Sequence, residues 1–392
     1  MAMTADSFDF SGFARLTNDL YPGRYQDPVF VKKLEATSSR IRKMVQDKDG
    51  IMLAHYYTYP EIQETAHMIG DSLALSNYAR TTNAKIIYFQ GVAFMAQTAK
   101  ILNPPKRVFI SDSSTALGCS LVFGTDHAWI EAWKKQNSHG LVVCYINSDP
   151  YTKALSDFES TSRNTDKVLI YILKNYPDRK ILFLPDKFLG NVMKTRALRM
   201  LAAEGIQADP DLIEIYDWRF NGFNASCQVH EPLGSDAIIV AMLENPDAEV
   251  IAHPECGCTP YCLLDPQQNK VIQQKVSFLS TEQMIKRALE SESQKFIIAT
   301  EAGLIYTLRK KVPNKTFVPV STQAVCPYMK ANDLDKLEQS VIRDVKEVII
   351  CDNCANCRIS PQHYHEDNRV IHIPHWIADK AREGIERMLA IQ

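Results

Sequence analysis

Cys227-Gln228-Val229-His230 sets a soft thiolate ligand and an imidazole three residues apart. The stretch follows a polar turn containing Asn221, Gly222 and Asn224, and an apolar helical run comes after it. A cysteine and a histidine so spaced can serve a metal and a substrate at one site; a structural cysteine beside a satisfied core histidine is the alternative. Two further stretches change the weighing. Gly118-Cys119-Ser120 lies 108 residues earlier by its cysteine, and Val325-Cys326-Pro327 lies 99 residues later. Cysteines recurring at about one hundred residues point to an internal repeat.

The segments between these cysteines carry the same pattern three times. Short apolar strands are expected at Ile51–Ala54, Leu141–Cys144 and Val250–Ala252, ending in His55-Tyr56-Tyr57, Tyr145-Ile146-Asn147 and His253-Pro254-Glu255. Helix-start signals follow at Gly70-Asp71-Ser72, Thr161-Ser162 and Ser280-Thr281. The serine comes 17 residues after His55 and 17 after Tyr145, but 27 after His253, so an insertion is expected around Cys258–Gln268. Second strands are expected at Ile86–Phe89, Ile181–Leu184 and Phe296–Ala299, and third strands at Val108–Ile110, Leu212–Ile215 and Thr316–Val320, after which each unit closes on its cysteine. Continuously apolar strands alternating with helices, with polar residues at their C-terminal ends, predict parallel α/β layers. Ligands in such sheets bind beyond the carboxyl edge. The expected organisation is an arm over residues 1–48, α/β/α units over 49–136, 137–235 and 236–345, and a tail over 346–392. A helix is expected at Pro28–Val45. The segment from Leu334 to Val348 reads as charged helix, and a final amphipathic helix runs to Gln392.

Composition narrows the function classes. The chain has 392 residues, 45% apolar and 23% charged, with a net charge of −2 and no long basic run, so neither nucleic acid nor an anionic membrane surface is indicated. No apolar run approaches the ~18 residues of a membrane helix, and no basic residue precedes an apolar N-terminal segment, so neither a membrane span nor a signal peptide is expected. A cytoplasmic protein is the expectation, in which ten cysteines serve metal ligation, redox chemistry or burial rather than structural disulfides.

Three thiolates, one per unit, are suited to zinc or an iron–sulfur cluster. Structural zinc usually draws ligands in close pairs, and a four-iron cluster held by three cysteines leaves one iron open as a Lewis acid for dehydration. Ser72, Ser162 and Ser280 at helix starts are either anion sites or plain N-caps. His55, Tyr57, Tyr145, His230, His253 and Glu255 are candidate acids and bases. Cys351-x-x-Cys354-x-x-Cys357 is a second metal or redox motif, and Cys256, Cys258 and Cys262 form a looser one. A cluster-bearing redox or sensor protein therefore stays open at this point.

The chain resembles the quinolinate synthases, the bacterial-type A proteins of NAD biosynthesis, from about residue 50 to 330. The resemblance is carried by LAHYYTYPEIQ (53–63), GDSLALS (70–76), GVAFMAQTAKIL (91–102), GCSL (118–121), YINS (145–148) and TSRN (161–164). It continues through LPDKFLG (184–190), CQVH (227–230), AHPEC (252–256), ATEAG (299–303) and CPYMK (326–330). It implies three pseudo-threefold-related α/β/α domains around a central [4Fe-4S] cluster. The implied reaction condenses iminoaspartate with dihydroxyacetone phosphate to quinolinate, losing phosphate and two waters. It also implies functional coupling to an L-aspartate oxidase or aspartate dehydrogenase.

By motif, the cluster ligands carry over to Cys119, Cys227 and Cys326, and His230 is assigned to substrate rather than metal. Substrate contacts carry over to His55, Tyr57, Ser72, Tyr145, Asn147, Ser162, His230, His253, Glu255 and Thr281, with Ser280 beside them at its helix start. Four features depart from the family pattern. Gln97 replaces a glutamate, Leu279 a glycine whose conformations leucine does not adopt freely, and Glu282 a small polar residue, while the triple-cysteine motif stands apart from CPYMK. A paralogue acting on other small acids is the alternative these departures raise.

Overall fold

The computed structural model describes residues 7–259, 262, 276–352, 366 and 369–391. Its strands are β1 (Gly50–His55), β2 (Met68–Gly70), β3 (Ile86–Gln90), β4 (Arg107–Phe109), β5 (Leu141–Tyr145), β6 (Phe158–Ser160) and β7 (Ile181–Leu184). They continue with β8 (Ile213–Ile215), β9 (Glu249–Ala252), β10 (Val276–Phe278), β11 (Lys295–Ala299), β12 (Thr316–Pro319), β13 (Glu347–Cys351) and β14 (Val370–Pro374). The fold is mixed α/β with short, largely parallel sheets, as the buried apolar strands require: β5 and β7 are buried at every residue.

Two compact units divide the chain. One comprises Met1–Gly118, Ala288–Gln294 and Glu301–Pro374; the other comprises Cys119–Arg287, Lys295–Thr300 and His375–Gln392. In the first, parallel strands run in the order β2-β1-β3-β4. In the second, β6-β5-β7-β8 repeats that order, and β10-β9-β11 repeats its first three places.

Hydrogen bonds repeat residue for residue between the first two repeats. The N–H of Tyr56 reaches Gly70 O, and that of Ile146 reaches Ser160 O. Met52 N–H donates to His67 Nδ1 at 3.0 Å, and Val142 N–H to Asp157 Oδ2 at 2.8 Å. Gln63 Nε2 donates to Tyr56 O at 2.8 Å and Thr58 O at 2.9 Å. Its counterpart, the buried Lys153 ammonium, donates to Ile146 O at 2.8 Å and to Ser148 O. A neutral amide and an ammonium thus tie the same loop after the first strand, and each satisfies carbonyls that burial would otherwise leave unpaired.

The expected strands are present within a residue or two of their predicted ends. β2, β6 and β10 were not anticipated, being three residues long and without readable periodicity. The tail differs from its reading. Its helix spans Leu334–Arg343 and closes on Asp344 at φ 49, and the β-branched run Val348-Ile349-Ile350 then forms β13, antiparallel to β4 and parallel to β14. The arm's helix spans Pro28–Asp47, capped by Asp27, whose carboxylate accepts from Val29 N–H at 2.9 Å. Among the described residues no helix is long and apolar enough to cross a membrane.

Candidate active site

The three spaced cysteines share one local geometry. Each carbonyl accepts the N–H four residues on: Phe123 to Cys119 at 3.0 Å, Glu231 to Cys227 at 2.9 Å, and Lys330 to Cys326 at 3.0 Å. Each cysteine therefore starts a helical turn. The carbonyl two residues before it is clamped by the turn after its repeat's second strand: Ala93 N–H to Leu117 O at 2.7 Å, Lys187 N–H to Ala225 O at 2.8 Å, and Ala302 N–H to Ala324 O at 2.8 Å. Within the second unit, Ser120 Oγ donates to Ser226 O at 3.4 Å and accepts Gln228 N–H at 3.1 Å, which joins the residues flanking Cys119 and Cys227. All three thiols are half-buried. Burial pushes the Cys326 thiol up to about 11, against backbone N–H groups of Met329 and Tyr328 that favour the thiolate. At Cys326, backbone N–H groups that favour the thiolate fit a ligand that must be deprotonated to bind metal.

Beside Cys227, the second unit gathers an acid–base cluster. His230 Nδ1 lies 2.8 Å from Glu255 Oε2, and its Nε2 lies 2.9 Å from Thr300 Oγ1. His253 stacks on His230 with ring centroids 4.7 Å apart, and Asn147 donates to the Tyr145 hydroxyl at 3.0 Å. Glu255, His230, His253 and Tyr145 are all buried. Burial alone would raise the Glu255 carboxyl; the facing His253 and His230, with hydrogen bonds from His230 and Tyr145, hold it below the usual carboxylate range instead. Burial lowers His253 to about 4, so it is neutral, and its Nδ1 accepts Glu255 N–H at 3.3 Å. An ionised Glu255 has no proton to donate, so its Oε2 accepts the hydrogen bond from His230 Nδ1–H. Glu255 Oε1 is buried with no hydrogen-bond partner.

Donor atoms of Cys227, His230 and Glu255 lie within 4.8 Å of one another and form a candidate metal group. Both His230 nitrogens are already engaged by Glu255 and Thr300, so the C-x-x-H stretch does not read as a chelate.

In the first unit, the N–H of Tyr57 donates to His55 Nδ1 at 3.2 Å, the relation that Glu255 bears to His253. His55, Tyr145 and His253 are thus equivalent positions at or just past the ends of β1, β5 and β9, and Tyr57, Asn147 and Glu255 stand two residues beyond each. Ser72 opens the helix Ser72–Thr81, but its cap is Asp71, whose carboxylate accepts Ala74 N–H at 2.9 Å. Ser162 sits in a turn closed by Thr161 and Asn164. Ser280 caps the helix beginning at Thr281 through a reciprocal pair with Gln283, which is the N-cap alternative. Leu279 is not among the residues with positive φ, so its place makes no demand for glycine. Gln97 is buried, and its Nε2 has no hydrogen-bond partner. Cys256 and Cys258 are paired, Cys351 ends β13, and Cys354 and Cys357 lie outside the described residues.

Sequence reasoning gave no role to Thr300, Asp186, Glu301 or Lys330. Each follows the second strand of a repeat or a cysteine, so strand-end position was the available signal.

Repeated βα units and a buried carboxylate–imidazole cluster at strand ends define a repeat-built α/β protein, with three turn-start cysteines as candidate metal ligands. The chain matches the family described as Quinolinate synthetase A protein over residues 39–390. It is 37% identical over 348 residues to the quinolinate synthase of Pyrobaculum aerophilum, covering 89% of this chain and 97% of that one. Those of a Thermus thermophilus strain (33% over 357 residues; 91% and 98%) and Chlorobaculum parvum (35% over 332 residues; 83% and 92%) are similar in the same way. The chain belongs to the quinolinate synthetase A protein family.

Proposed function

We propose that this chain is a quinolinate synthase of NAD biosynthesis, condensing iminoaspartate with dihydroxyacetone phosphate to quinolinate with loss of phosphate and two waters. The observation that carries this reading is the buried Glu255–His230–His253–Tyr145 cluster beside Cys227 in a chain of this family. Cys119, Cys227 and Cys326 would hold a [4Fe-4S] cluster, and their shared turn-start geometry supports that assignment. When bound, such a cluster supplies an open iron that acts as a Lewis acid toward a substrate hydroxyl or carboxylate.

The chain's own groups supply the proton traffic. Glu255 Oε1, ionised and unpartnered, accepts a substrate proton, while His230 and Tyr145 hold the carboxylate in place. His253 and His55, each with Nδ1 occupied by a backbone N–H, keep Nε2–H as a donor toward carbonyl or leaving hydroxyl oxygens. Tyr57 and Asn147 orient the three-carbon substrate, and the helix start at Ser72, the turn at Ser162 and Thr281 beside the capping Ser280 receive carboxylate and phosphate through backbone N–H groups and hydroxyls. Residues 49–136, 137–235 and 236–345 are the three domains of this reading. A cytoplasmic enzyme supplied by an L-aspartate oxidase or aspartate dehydrogenase accords with the short life of an imine in water.

The test is an anaerobic assay with enzymatically generated iminoaspartate and dihydroxyacetone phosphate. Quinolinate is the expected product; its absence from folded, iron-loaded protein would refute the assignment.

A further inference from the structure

Two fully buried carboxylates outside the acid–base cluster take one place in two repeats. Asp186 precedes Lys187 and Glu301 precedes Ala302, the residues whose N–H groups clamp the carbonyls two before Cys227 and Cys326. Asp186 Oδ2 accepts Cys227 N–H at 2.8 Å. Its Oδ1 accepts Phe188 N–H at 2.8 Å and Leu189 N–H at 3.0 Å, capping the helix Lys187–Ala203. Glu301 repeats the arrangement: Oε1 accepts Cys326 N–H at 3.2 Å and lies 3.1 Å from Lys330 Nζ, and Oε2 accepts Gly303 N–H at 2.6 Å. In the first repeat the residue before Ala93 is Val92, whose side chain has no oxygen to offer Cys119.

We propose that Asp186 and Glu301 are positioning residues that pin the backbones of Cys227 and Cys326 to rigid helix starts, so that two of the three thiolates are preset for a metal cluster. The inference rests on the reading of these cysteines as cluster ligands. A buried carboxylate is costly unless fully hydrogen-bonded. Here each is satisfied by joining a ligand's own N–H to a helix end, which fixes where the cysteine Cα stands. Partners of this kind commonly govern ligand geometry and metal retention.

Asp186→Asn separates the tether from the cap. An asparagine has one acceptor oxygen: turned toward Phe188 and Leu189 it keeps the cap and sets its NH2 against Cys227 N–H, donor to donor. Glu301→Gln divides its contacts in the same way.

The experiment loads the full chain anaerobically with iron and sulfide and follows iron release to a ferrous chelator. It also records the thermal midpoint of the iron-free protein. Asp186→Asn and Glu301→Gln are expected to release iron about 10- to 100-fold faster than the parent at temperatures where each iron-free variant is still folded, although its midpoint falls because a buried donor is left unpaired. Release at the parental rate from both variants would overturn the inference while leaving the ligand reading intact, as would faster release seen only at temperatures where the iron-free variant is already unfolding. A parent chain that takes up no iron would instead overturn the ligand reading, and this inference with it.

Discussion

Glu255→Gln isolates the chemistry that the site assigns to one oxygen. In the parent, Oε2 is held by His230 at 2.8 Å, while Oε1 is buried and has no hydrogen-bond partner. Glutamine can offer His230 its carbonyl oxygen, so the orienting bond survives, but its NH2 then stands where Oε1 stood. A proton acceptor becomes a donor without change of volume. Removing a positioned general base typically lowers turnover by about 10²–10⁴-fold, and that is the expected fall in kcat. KM should move little, because the groups proposed to hold carboxylates and phosphate are untouched. The folding midpoint should fall modestly, since a carboxylate held ionised by His253, His230 and Tyr145 gives way to a neutral amide. The assay is quinolinate formation at saturating and limiting dihydroxyacetone phosphate, with urea unfolding and iron content measured alongside. A variant keeping more than about a tenth of parental kcat would refute the assignment of Oε1 as the acceptor. A loss of turnover that merely tracks lost iron or unfolding would make Glu255 structural.

Lys153→Met removes the ammonium that satisfies Ile146 O and Ser148 O. It should destabilise the second unit by roughly 2–4 kcal/mol, whereas Lys153→Gln, copying Gln63, should restore at least half of that by urea midpoint; equal damage from both would disprove the equivalence. His127 Nε2 lies 3.1 Å from the buried Asp149 and 3.0 Å from Thr152 Oγ1, with Asp126 and Glu131 also acting on it. Burial lowers its pKa, but the Asp149 charge outweighs this and raises it above the ordinary value. Its stabilising contribution is therefore fully present below about pH 6.5 and lost as pH climbs through the raised folded value. Thermal midpoints of His127→Asn should accordingly fall further below the parent's at pH 6 than at pH 9, and a pH-independent gap would contradict the pairing. Thr300→Val should cut turnover while leaving iron content unchanged, because it frees His230 Nε2 without touching a cysteine.

The repeat was readable because period and polarity coincide: apolar strands ending in His55, Tyr145 and His253 recur at spacings that only a repeated βα unit explains. The cysteines were readable for the same reason. Strands of three residues such as β2 and β6 were not, since they carry too few positions for alternation to show. The helix was expected to run on to Val348, into the first two residues of β13, because Leu334–Arg343 is strongly amphipathic and the signal that ends it is one left-handed residue, Asp344. That Asp186 and Glu301 hold the N–H groups of Cys227 and Cys326, 41 and 25 residues away, is a tertiary fact without a local signature. Ser72 and Ser280 show the converse. Their helix-start positions were legible, but whether aspartate or serine does the capping depends on backbone geometry at single residues.

In the proposed reaction, thiolate-held iron and the Glu255 cluster act together. Cys227→Ala, compared with the parent in an anaerobic assay that follows both the brown cluster absorbance and quinolinate, tests it most directly. The parent is expected to be brown and to form quinolinate from iminoaspartate and dihydroxyacetone phosphate, and the variant to lose colour and turnover together. A colourless Cys227→Ala protein that still makes quinolinate would contradict the account.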